Sequence, residues 1–582
     1  MKKTMYLAAL MTFMLPSLIR ADQNVQREMT KDVVLRALVD ELQRGKVGLK
    51  LEDLERPYFI EYALLDSTSA NVTASLGAVT GKSENRWRRL RTDVRVGSYE
   101  LDNTNFQGDR GRFGFGGRFG FFGGAAIPIE NDYAAIRQGI WWATDRQYKS
   151  VIEDFENKKA FMQTKMIEDK PDDFSKEAVT VDFEDRIDAT TNTDQIEELA
   201  VALSKIFREF SDIQRSNVQI FARGGNKYLV NTEGVRQRLS GTQYSLTVSA
   251  TIQADDGMKF SDSIALHARK FDELPSLAEL TERCKDMIGG LVAARDAPKL
   301  ESYTGPVLFE AEAAATLFSR NFANRFIGGQ RPIGGQRMPG DFEEMLDKRI
   351  LPRFMNVVDD PTRETIEGTA VMGHYKYDDQ GVLARPVTLV ENGRLKALLM
   401  SRNPSKKFKN STGHGRGSYQ VRSSVGCLIV SAEDADDDKA LKQKLIEACQ
   451  DEDLEYGIRI ASLGRSGGDR FSRFPSMPGN LSAFFPNFGG RGQGTMPLAM
   501  YKVYPDGREQ RVRGVEIARI GQKVFKRILA AGEKPYVLNT GSGSGGQTVV
   551  APAMLFEELD LAKVDRDFDK PPILTSPLAR GG

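Results

Sequence analysis

The sequence predicts an α+β protein of two domains, and three observations lead to that prediction. The chain has 582 residues, more than a single hydrophobic core usually serves. Its apolar fraction of 40% and charged fraction of 28% are those of an ordinary globular protein. Helix and strand patterns are mixed up to about residue 298, whereas hairpin patterns dominate the remainder. We therefore predict a mixed sheet with helices over residues 22–298 and a strand-rich C-terminal domain over 299–582.

The first 21 residues have the pattern of a secretory signal. Lys2 and Lys3 precede an apolar run over residues 5–15, and Ala21 provides a small residue before Asp22. The run is shorter than the roughly 20 residues that a membrane-spanning helix needs. We expect an exported protein, periplasmic or secreted, with no membrane span after cleavage. Because Arg20 is unusual next to a cleavage site, an uncleaved anchor is the alternative.

The first half alternates between helix and strand patterns. Val34, Leu38 and Leu42 recur at helical spacing, and Gly45 ends the pattern, so a helix is predicted over 32–44. Elsewhere, alternating residues predict strands and a three-to-four-residue repeat predicts helices. The predicted strands are 58–66, 89–97 and a meander over 218–257 with turns at 224–226 and 232–234; the further predicted helices are 131–164, 193–210 and 276–295.

The second half is read mainly as hairpins. Asn392 and Gly393 separate two apolar runs within 385–400, and Asp506 and Gly507 do the same within 498–517; both dipeptides are typical of tight hairpin turns. Three helices are also expected, at 305–326, 439–449 and 518–531. The first of these is amphipathic and has Glu310 near its start, where the helix dipole favours a carboxylate.

Three segments rich in glycine, arginine and phenylalanine match neither element; they are 106–124, 326–340 and 474–494. Arginine and aromatic residues together can bind single-stranded nucleic acid. The net charge of +1 provides no field to attract nucleic acid, and the export signal argues against it as well. We therefore expect no nucleic-acid partner and interpret the segments as surface loops or as loops packed by their own phenylalanines. Closure over an extended ligand is a further hypothesis.

A series of motifs in the second half carries a family resemblance. The motifs are Asp-Asp-Gln-Gly-Val at 378–382, Val-Glu-Asn-Gly-Arg-Leu at 390–395 and Ser-Thr-Gly-His-Gly-Arg at 411–416. Segments 454–464 and 541–559 follow in the same order, and 229–238 adds a match in the first half. Together they resemble the TldD/TldE (PmbA) family of metallopeptidases over most of the chain. The resemblance implies that 299–582 is a C-terminal domain of TldD/TldE type.

The resemblance also implies where a zinc site would lie. In the family, the TldD-like subunit holds zinc with a His-Glu-x-x-x-His helix and a cysteine near the C-terminus, chemistry that needs about three protein ligands and a water. These positions fall on 309–314 and on Ser542. Both histidine positions are apolar here, as Phe309 and Ala314, and a neutral serine replaces poorly the thiolate of the cysteine. Only Glu310, at the general-base position, remains.

One alternative is that other residues of the chain form a new metal site in place of the missing zinc ligands. The chain has only three histidines and three cysteines, but a mixed site of imidazoles and carboxylates is chemically allowed. The residues available for it are His374, His414, Glu310, Glu312, Asp359 and Asp360. We expect His374 in a strand and His414 in a glycine-rich loop, and their spacing does not place the two on a shared face. We therefore expect no cofactor, with zinc entering only through a rebuilt site or through a partner.

Together, these residues predict a family member without zinc chemistry of its own. We expect an exported, non-catalytic TldE-like subunit or peptide-binding scaffold. Its expected partners are a catalytic TldD-like homologue or a second copy of itself, and an unfolded peptide is its expected ligand. The alternatives are an active peptidase with a rebuilt site and a structural envelope protein whose Gly/Phe-rich loops bind another protein. Whether the chain is an enzyme therefore depends on what surrounds Glu310.

Overall fold

The structure is a computed structural model of the chain. It describes residues 23, 25–51, 54–107, 124–188, 191–335, 342–418, 420–463, 496–517, 520–540, 546–565, 568–572 and 574–580. The predicted signal, the loop at 474–494 and most of the loop at 106–124 lie outside these residues. Within the described part of the chain, no helix is long and apolar enough to cross a membrane.

A seven-stranded sheet organises the first half. Its order is β3-β2-β1-β5-β6-β4, with β7 pairing β6. Neighbours are antiparallel except β4, which runs parallel to β6. The strands are β1 Pro57–Ser75, β2 Ala78–Val96, β3 Ala125–Ala126, β4 Val181–Phe183, β5 Arg215–Asn231, β6 Arg236–Gln253 and β7 Lys259–Ala268.

Helices cover one face of this sheet. They are α1 Val33–Gly48, α2 Tyr133–Lys165, α3 Thr193–Lys205 and α4 Leu277–Asp296. Asp32 caps α1 as its sequence pattern predicts, because its carboxylate accepts the N–H groups of Val34 and Leu35. Two apolar clusters lie between helices and sheet, one under α1 and α2 and the other under α3 and α4. All four helices confirm predicted ones.

An eleven-stranded sheet organises the second half around its last strand. The order is β13-β12-β9-β16-β22-β8-β17-β18-β19, and β20 and β21 also pair with β22. Its strands are β8 Tyr303–Phe309, β9 Met355–Asp359, β12 Val387–Glu391, β13 Arg394–Leu395, β16 Cys427–Ala432, β17 Gly457–Leu463, β18 Pro497–Val503, β19 Glu509–Val512, β20 Val515–Ile517, β21 Ile528–Thr540 and β22 Gln547–Lys563.

The smaller elements complete this half. Two short hairpins pair β10 Thr365–Ile366 with β11 Thr369–Ala370 and β14 Gly415–Arg416 with β15 Arg422–Ser423. The helices are α5 Ala311–Asn321, α6 Asp438–Asp451 and α7 Gln522–Phe525. Phenylalanines that follow or belong to α5, among them Phe322 and Phe326, are fully buried in the main core. The fold class is therefore confirmed as α+β, with sheets in both halves.

Three predicted elements are wrong, each because distant strands pair. Residues 305–309 belong to β8 rather than to a helix, since β8 lies between β22 and β17. Most of 518–531 is not helical, because Ile528 begins β21 and faces Phe556. The predicted turn at 224–226 lies inside β5, where a side chain on Gly225 would meet the carbonyl oxygen of Asp66 at 2.1 Å. The three cysteines are free and buried.

Polar contacts join the two halves. Asp379, in the turn at 378–382, forms an ion pair with Lys227 on β5. Its carboxylate also accepts a hydrogen bond from the Gly417 N–H at 2.6 Å. Arg91 on β2 donates to the carbonyl oxygen of Asp379 at 2.7 Å and to Glu61 at 2.8 Å. The turn at 378–382 thus docks against one end of the N-terminal sheet, on the face opposite α1–α4.

Candidate functional site

The position corresponding to the family's zinc-binding helix is a strand-to-helix junction. β8 ends at Phe309, Glu310 is the N-cap residue, and α5 begins at Ala311. The Glu310 N–H donates to the Ile460 carbonyl of β17 at 2.9 Å, and its own carbonyl accepts the N–H of Ala314 at 2.8 Å. The junction is therefore fixed by its backbone, with Glu310 as its one carboxylate at the end of β8.

Both positions at which the resemblance implies histidine ligands are part of the hydrophobic core. Phe309 is 0% exposed and Ala314 is 1% exposed. The Phe309 ring packs edge-on against Phe556 with centroids 5.3 Å apart, and Phe556 packs in the same way against Phe525. Zinc needs nitrogen, sulfur or oxygen donors around an accessible centre. The residues present do not fit zinc here, because aromatic and methyl groups fill the two positions.

Glu310 is engaged by arginine rather than by the helix. Its carboxylate makes no cap hydrogen bond to α5 but pairs with the guanidinium of Arg459 on β17. Arg459 also pairs with Glu509 on β19, which binds Lys442 of α6 at 2.8 Å. Partial burial disfavours the charged form of Glu509, but hydrogen bonds from Lys442 and Arg459 outweigh this and lower its pKa. Glu310 thus belongs to a chain of alternating charges.

Ser542, the third position at which the resemblance implies a ligand, lies outside the described residues. The nearest described residue after it is Gly546, and Gln547 pairs with Thr540 at the end of the β21–β22 hairpin. Further along the same strand, Met554 pairs with Phe309. At about 3.3 Å per residue, the seven residues from Gln547 to Met554 span roughly 23 Å. The start of β22 and the junction before α5 are therefore well separated along β22.

The histidines do not rebuild a metal site near Glu310. His414 and Asp359 are brought together, with Nε2 and Oδ1 3.0 Å apart, but both side chains are 0% exposed. Asp359 also accepts the N–H groups of Gly426 and Cys427 at 3.2 Å. Such a pair ties β9 to the loop before β14 and leaves no room for substrate.

His374 lies in a loop rather than in the strand we predicted. Burial, with the charge of Arg269 adding to it, lowers the pKa of this imidazole. Among the described residues, no three His, Cys, Asp or Glu side chains converge as a metal site requires. Glu312 is exposed on the first turn of α5, and Asp360 bonds the Thr362 N–H at 3.1 Å.

Arg459 is the residue at this site that the sequence interpretation missed. It lies in the segment 454–464 that carries part of the family resemblance, in the run Gly-Ile-Arg-Ile-Ala. The alternation of that run sets Arg459 apart from the buried Ile458 and Ile460. The pattern therefore predicts an arginine outside the core, but only the pairing of β17 with β8 reveals Glu310 as its partner.

Comparison with known proteins agrees with this architecture. The family model described as the PmbA/TldA metallopeptidase C-terminal domain matches residues 302–454. A metalloprotease PmbA homolog of Haemophilus influenzae is 25% identical over 39% of this chain and 48% of its own. A metalloprotease of Methanocaldococcus jannaschii is 40% identical over 13% of this chain and 16% of its own. The matched segment therefore covers about half the length of the first relative and a much smaller share of the second.

The fold is also similar to that of a solved structure. The crystal structure of TldE from Thermococcus kodakarensis superposes with a TM-score of 0.56 at 13% identity. The superposition covers 90% of this chain and 100% of the other. At this identity the likeness concerns the fold alone, but it extends through both halves of the molecule.

Proposed function

We propose that the chain is a non-catalytic member of the TldD/TldE family of metallopeptidase homologues, with which it shares the match over residues 302–454. Under this proposal it is a TldE-like subunit or peptide-binding scaffold that works with a catalytic TldD-like homologue or as a homodimer. The single observation that carries the proposal is the burial of Phe309 and Ala314 in the core. A lone carboxylate paired with arginine has no means of activating water for amide hydrolysis.

The proposal includes export to the periplasm or beyond. It is supported by the basic start, the apolar run over 5–15 and the small residue Ala21. Fractionation of cells that express the full chain, with N-terminal sequencing of the product, tests this part. Retention in the cytoplasm with residues 1–21 still attached would contradict export but not the loss of zinc chemistry.

The absence of catalysis is tested with purified mature protein. Zinc per chain is measured by mass spectrometry of the metal, and cleavage of an unfolded peptide is followed with and without a co-expressed TldD-like homologue. We expect less than about 0.1 zinc per chain for the protein alone, no cleavage by it, and cleavage only by the pair. The threshold follows from the lack of nitrogen and sulfur donors at the site.

Glu310→Gln and Glu312→Gln separate a catalytic glutamate from a structural one. Both variants remove one carboxylate near the start of α5, but only the first removes the ion pair with Arg459. We expect neither variant to change the activity of the pair, once thermal melts show that both are folded. Stoichiometric zinc in the chain alone, with cleavage that Glu310→Gln abolishes and Glu312→Gln preserves, would overturn the proposal.

A further inference from the structure

The side of the N-terminal sheet that faces away from α1–α4 is a continuous surface of five strands. Strand register aligns its residues in rows, since Ser69 pairs with Arg223, Arg223 with Gln243, and Ser245 with His267. Beyond the end on which the turn at 378–382 docks, this side consists of the odd-numbered residues of 65–73, 83–89, 217–223, 243–251 and 261–267. We call these positions the open face.

Hydroxyl and amide side chains dominate the open face. Most of its residues are Ser, Thr, Asn or Gln, and none is Asp, Glu or Lys. The residues that alternate with them face the helices and are largely apolar and buried, among them Val72, Ile220 and Leu246. Because 28% of the residues in the whole chain are charged, a solvent-facing surface of this kind without an acid or a lysine is a specific feature.

The open face is accessible to a ligand of considerable length. Hydrogen bonds between its side chains lie at the protein surface, from Gln219 Nε2 to Asn71 Oδ1 at 2.7 Å and between the hydroxyls of Thr251 and Ser261 at 2.8 Å. With about 4.8 Å between strands and about 3.3 Å per residue, the face measures roughly 20 by 25 Å. An extended chain of several units therefore fits across it.

Two aromatic side chains lie within this polar surface. Trp87 on β2 and Phe221 on β5 are both half-buried. The guanidinium of Arg223 lies 5.1 Å from the centroid of the Trp87 ring, and that of Arg89 lies 5.7 Å from it. These cation–π contacts hold the indole in place and engage both arginines of the open face. A ring that is already held loses little conformational freedom when a ligand packs against it.

Gln243 supplies a donor that the protein does not use. Its Nε2 atom is buried, and no described residue accepts a hydrogen bond from it. Buried polar atoms are normally paired, so an oxygen atom of a ligand on the open face would satisfy this one. Next to it on β6, the Ser245 hydroxyl lies 2.8 Å from Nδ1 of His267, and a hydroxyl can donate one hydrogen bond while it accepts another.

We propose that the open face binds a neutral glycan chain. Its hydroxyl and amide side chains both donate and accept hydrogen bonds, as the hydroxyls of a sugar do. The Trp87 ring packs against the C–H groups of a sugar ring, and Gln243 Nε2 donates to a sugar oxygen. A sheet face that binds oligosaccharides is known from OB folds. The inference is independent of the junction before α5 and of the missing zinc ligands.

Two other occupants fit the chemistry of the open face less well. Serine is depleted at protein–protein interfaces, and serine and threonine are under-represented among the residues that dominate binding there. Single-stranded nucleic acid also stacks on aromatic rings, but it needs several cations for its phosphates. The two arginines of the open face stack on Trp87 instead.

Calorimetric titration of the full mature protein tests the proposal with three probes: cellohexaose, hexa-N-acetylchitohexaose and a twelve-nucleotide oligothymidylate. We expect saturable binding of a neutral hexasaccharide with a dissociation constant below about 1 mM, and binding of the oligothymidylate at least about tenfold weaker. Tighter binding of the N-acetylated sugar would show that the amide side chains of the face read acetamido groups, and equal binding would show that hydroxyls suffice. No saturation by either sugar up to about 5 mM, or tighter binding of the oligothymidylate, would overturn the proposal.

Matched variants connect the binding to the open face. Trp87→Ala should weaken sugar binding about tenfold or more, as the loss of a central aromatic contact does. Trp142→Ala removes a tryptophan that is 54% exposed on α2, on the other side of the sheet, and should have no effect.

A third variant keeps the test decisive if Trp87→Ala does not fold. Gln243→Ala removes an amide whose Nε2 has no partner among the described residues, so it should leave the thermal melt unchanged and weaken sugar binding about threefold or more. If Gln243→Ala and a folded Trp87→Ala bind sugar as tightly as the unchanged protein, the site is wrong. If Thr247→Asp instead changes the sedimentation of the protein in the absence of sugar, the open face contacts a second copy of the chain and the proposal fails.

Discussion

Glu61 shows how one buried residue can make the stability of the protein depend on pH. Its side chain lies at the joint between the two halves, is 3% exposed, and pairs with Arg91 at 2.8 Å. Burial raises the pKa of this carboxyl to about 7, although the charge of Arg91 acts in the opposite direction. The facing groups on neighbouring elements are Asp93, which raises the pKa, and Arg402 and Arg95, which lower it.

The raised pKa predicts a loss of stability with rising pH. Because folded Glu61 holds its proton more tightly than the unfolded chain does, its contribution is fully present below about pH 4.5 and is lost by about pH 7. The loss is on the order of 3 kcal/mol. We therefore expect Glu61→Gln to gain stability relative to the unchanged protein by this amount between pH 4.5 and 8, measured by urea unfolding at several pH values.

A glutamate on the surface provides the control for this prediction. Glu282 on α4 has a side chain that is 70% exposed. Glu282→Gln removes a carboxylate that is not buried, and its unfolding is measured in urea at the same pH values. If the curves for Glu61→Gln and Glu282→Gln were parallel across this range, burial would not raise the pKa of Glu61.

At the scale of elements, the β12–β13 hairpin depends on its turn. Asn392 and Gly393 have φ values of 49° and 72°, which is typical of the tight turns that asparagine and glycine form. A side chain on Gly393 would lie 2.3 Å from the carbonyl oxygens of Leu351 and Pro352. Gly393 is therefore required both by the backbone conformation and by the neighbouring segment.

Two glycine substitutions separate these requirements. Gly507, in the turn between β18 and β19, has a φ of 82° but would place a side chain in open space. We expect Gly507→Ala to cost about 1 kcal/mol, the conformational penalty alone, and Gly393→Ala to cost about 3 kcal/mol or more because the carbonyl groups must move. Urea unfolding at pH 7 measures both. Equal losses would mean that the neighbouring segment yields without cost.

The same hairpins show which elements a sequence can predict. Both turns, the capped helix α1 and the three other N-terminal helices depend on residues close in the chain, and all are found as predicted. Residues 305–309 and 528–531 were misassigned because their strand partners are distant in the sequence. Phe309 pairs with Ile460, and Ile528 pairs with Phe556. At the candidate site, the apolar nature of Phe309 could be read directly, whereas its packing against Phe556 required the fold.

The charge partner of Glu310 could not be predicted for the same reason. Arg459 is 149 residues away in the sequence, and only strand pairing brings the two together. The polar joint between the halves is a similar case, since the alternation in β2 predicts that Arg91 and Arg95 face water. Arg95 is 9% exposed, because the connection after α2 covers that end of the sheet and stacks Phe174 on its guanidinium at 3.7 Å.

At the scale of the whole molecule, Arg402 links the two halves through an ion pair, a hydrogen bond and a ring contact. It follows β13 and is 1% exposed, and its guanidinium donates to both carboxylate oxygens of Glu233 at 2.7 Å. It also bonds the Ser175 carbonyl at 3.0 Å and stacks on Phe174 at 3.8 Å. Removing one partner of a buried ion pair typically costs about 3–5 kcal/mol. Arg402 should therefore decide whether the two halves unfold together.

The tryptophans make this prediction measurable, because all three lie in the first half, at 87, 141 and 142. Their fluorescence reports the first half of the chain, whereas far-ultraviolet circular dichroism reports both halves. In urea, we expect the two signals to coincide for the unchanged protein and to separate for Arg402→Ala, because the halves then unfold with different midpoints. Arg508→Ala, which removes an arginine whose side chain is 65% exposed in the β18–β19 turn, should leave them coincident. If Arg402→Ala also unfolds in one coincident step, the prediction is wrong. The contacts of Arg91 and Lys227 with Asp379 would then be enough to keep the two halves unfolding together.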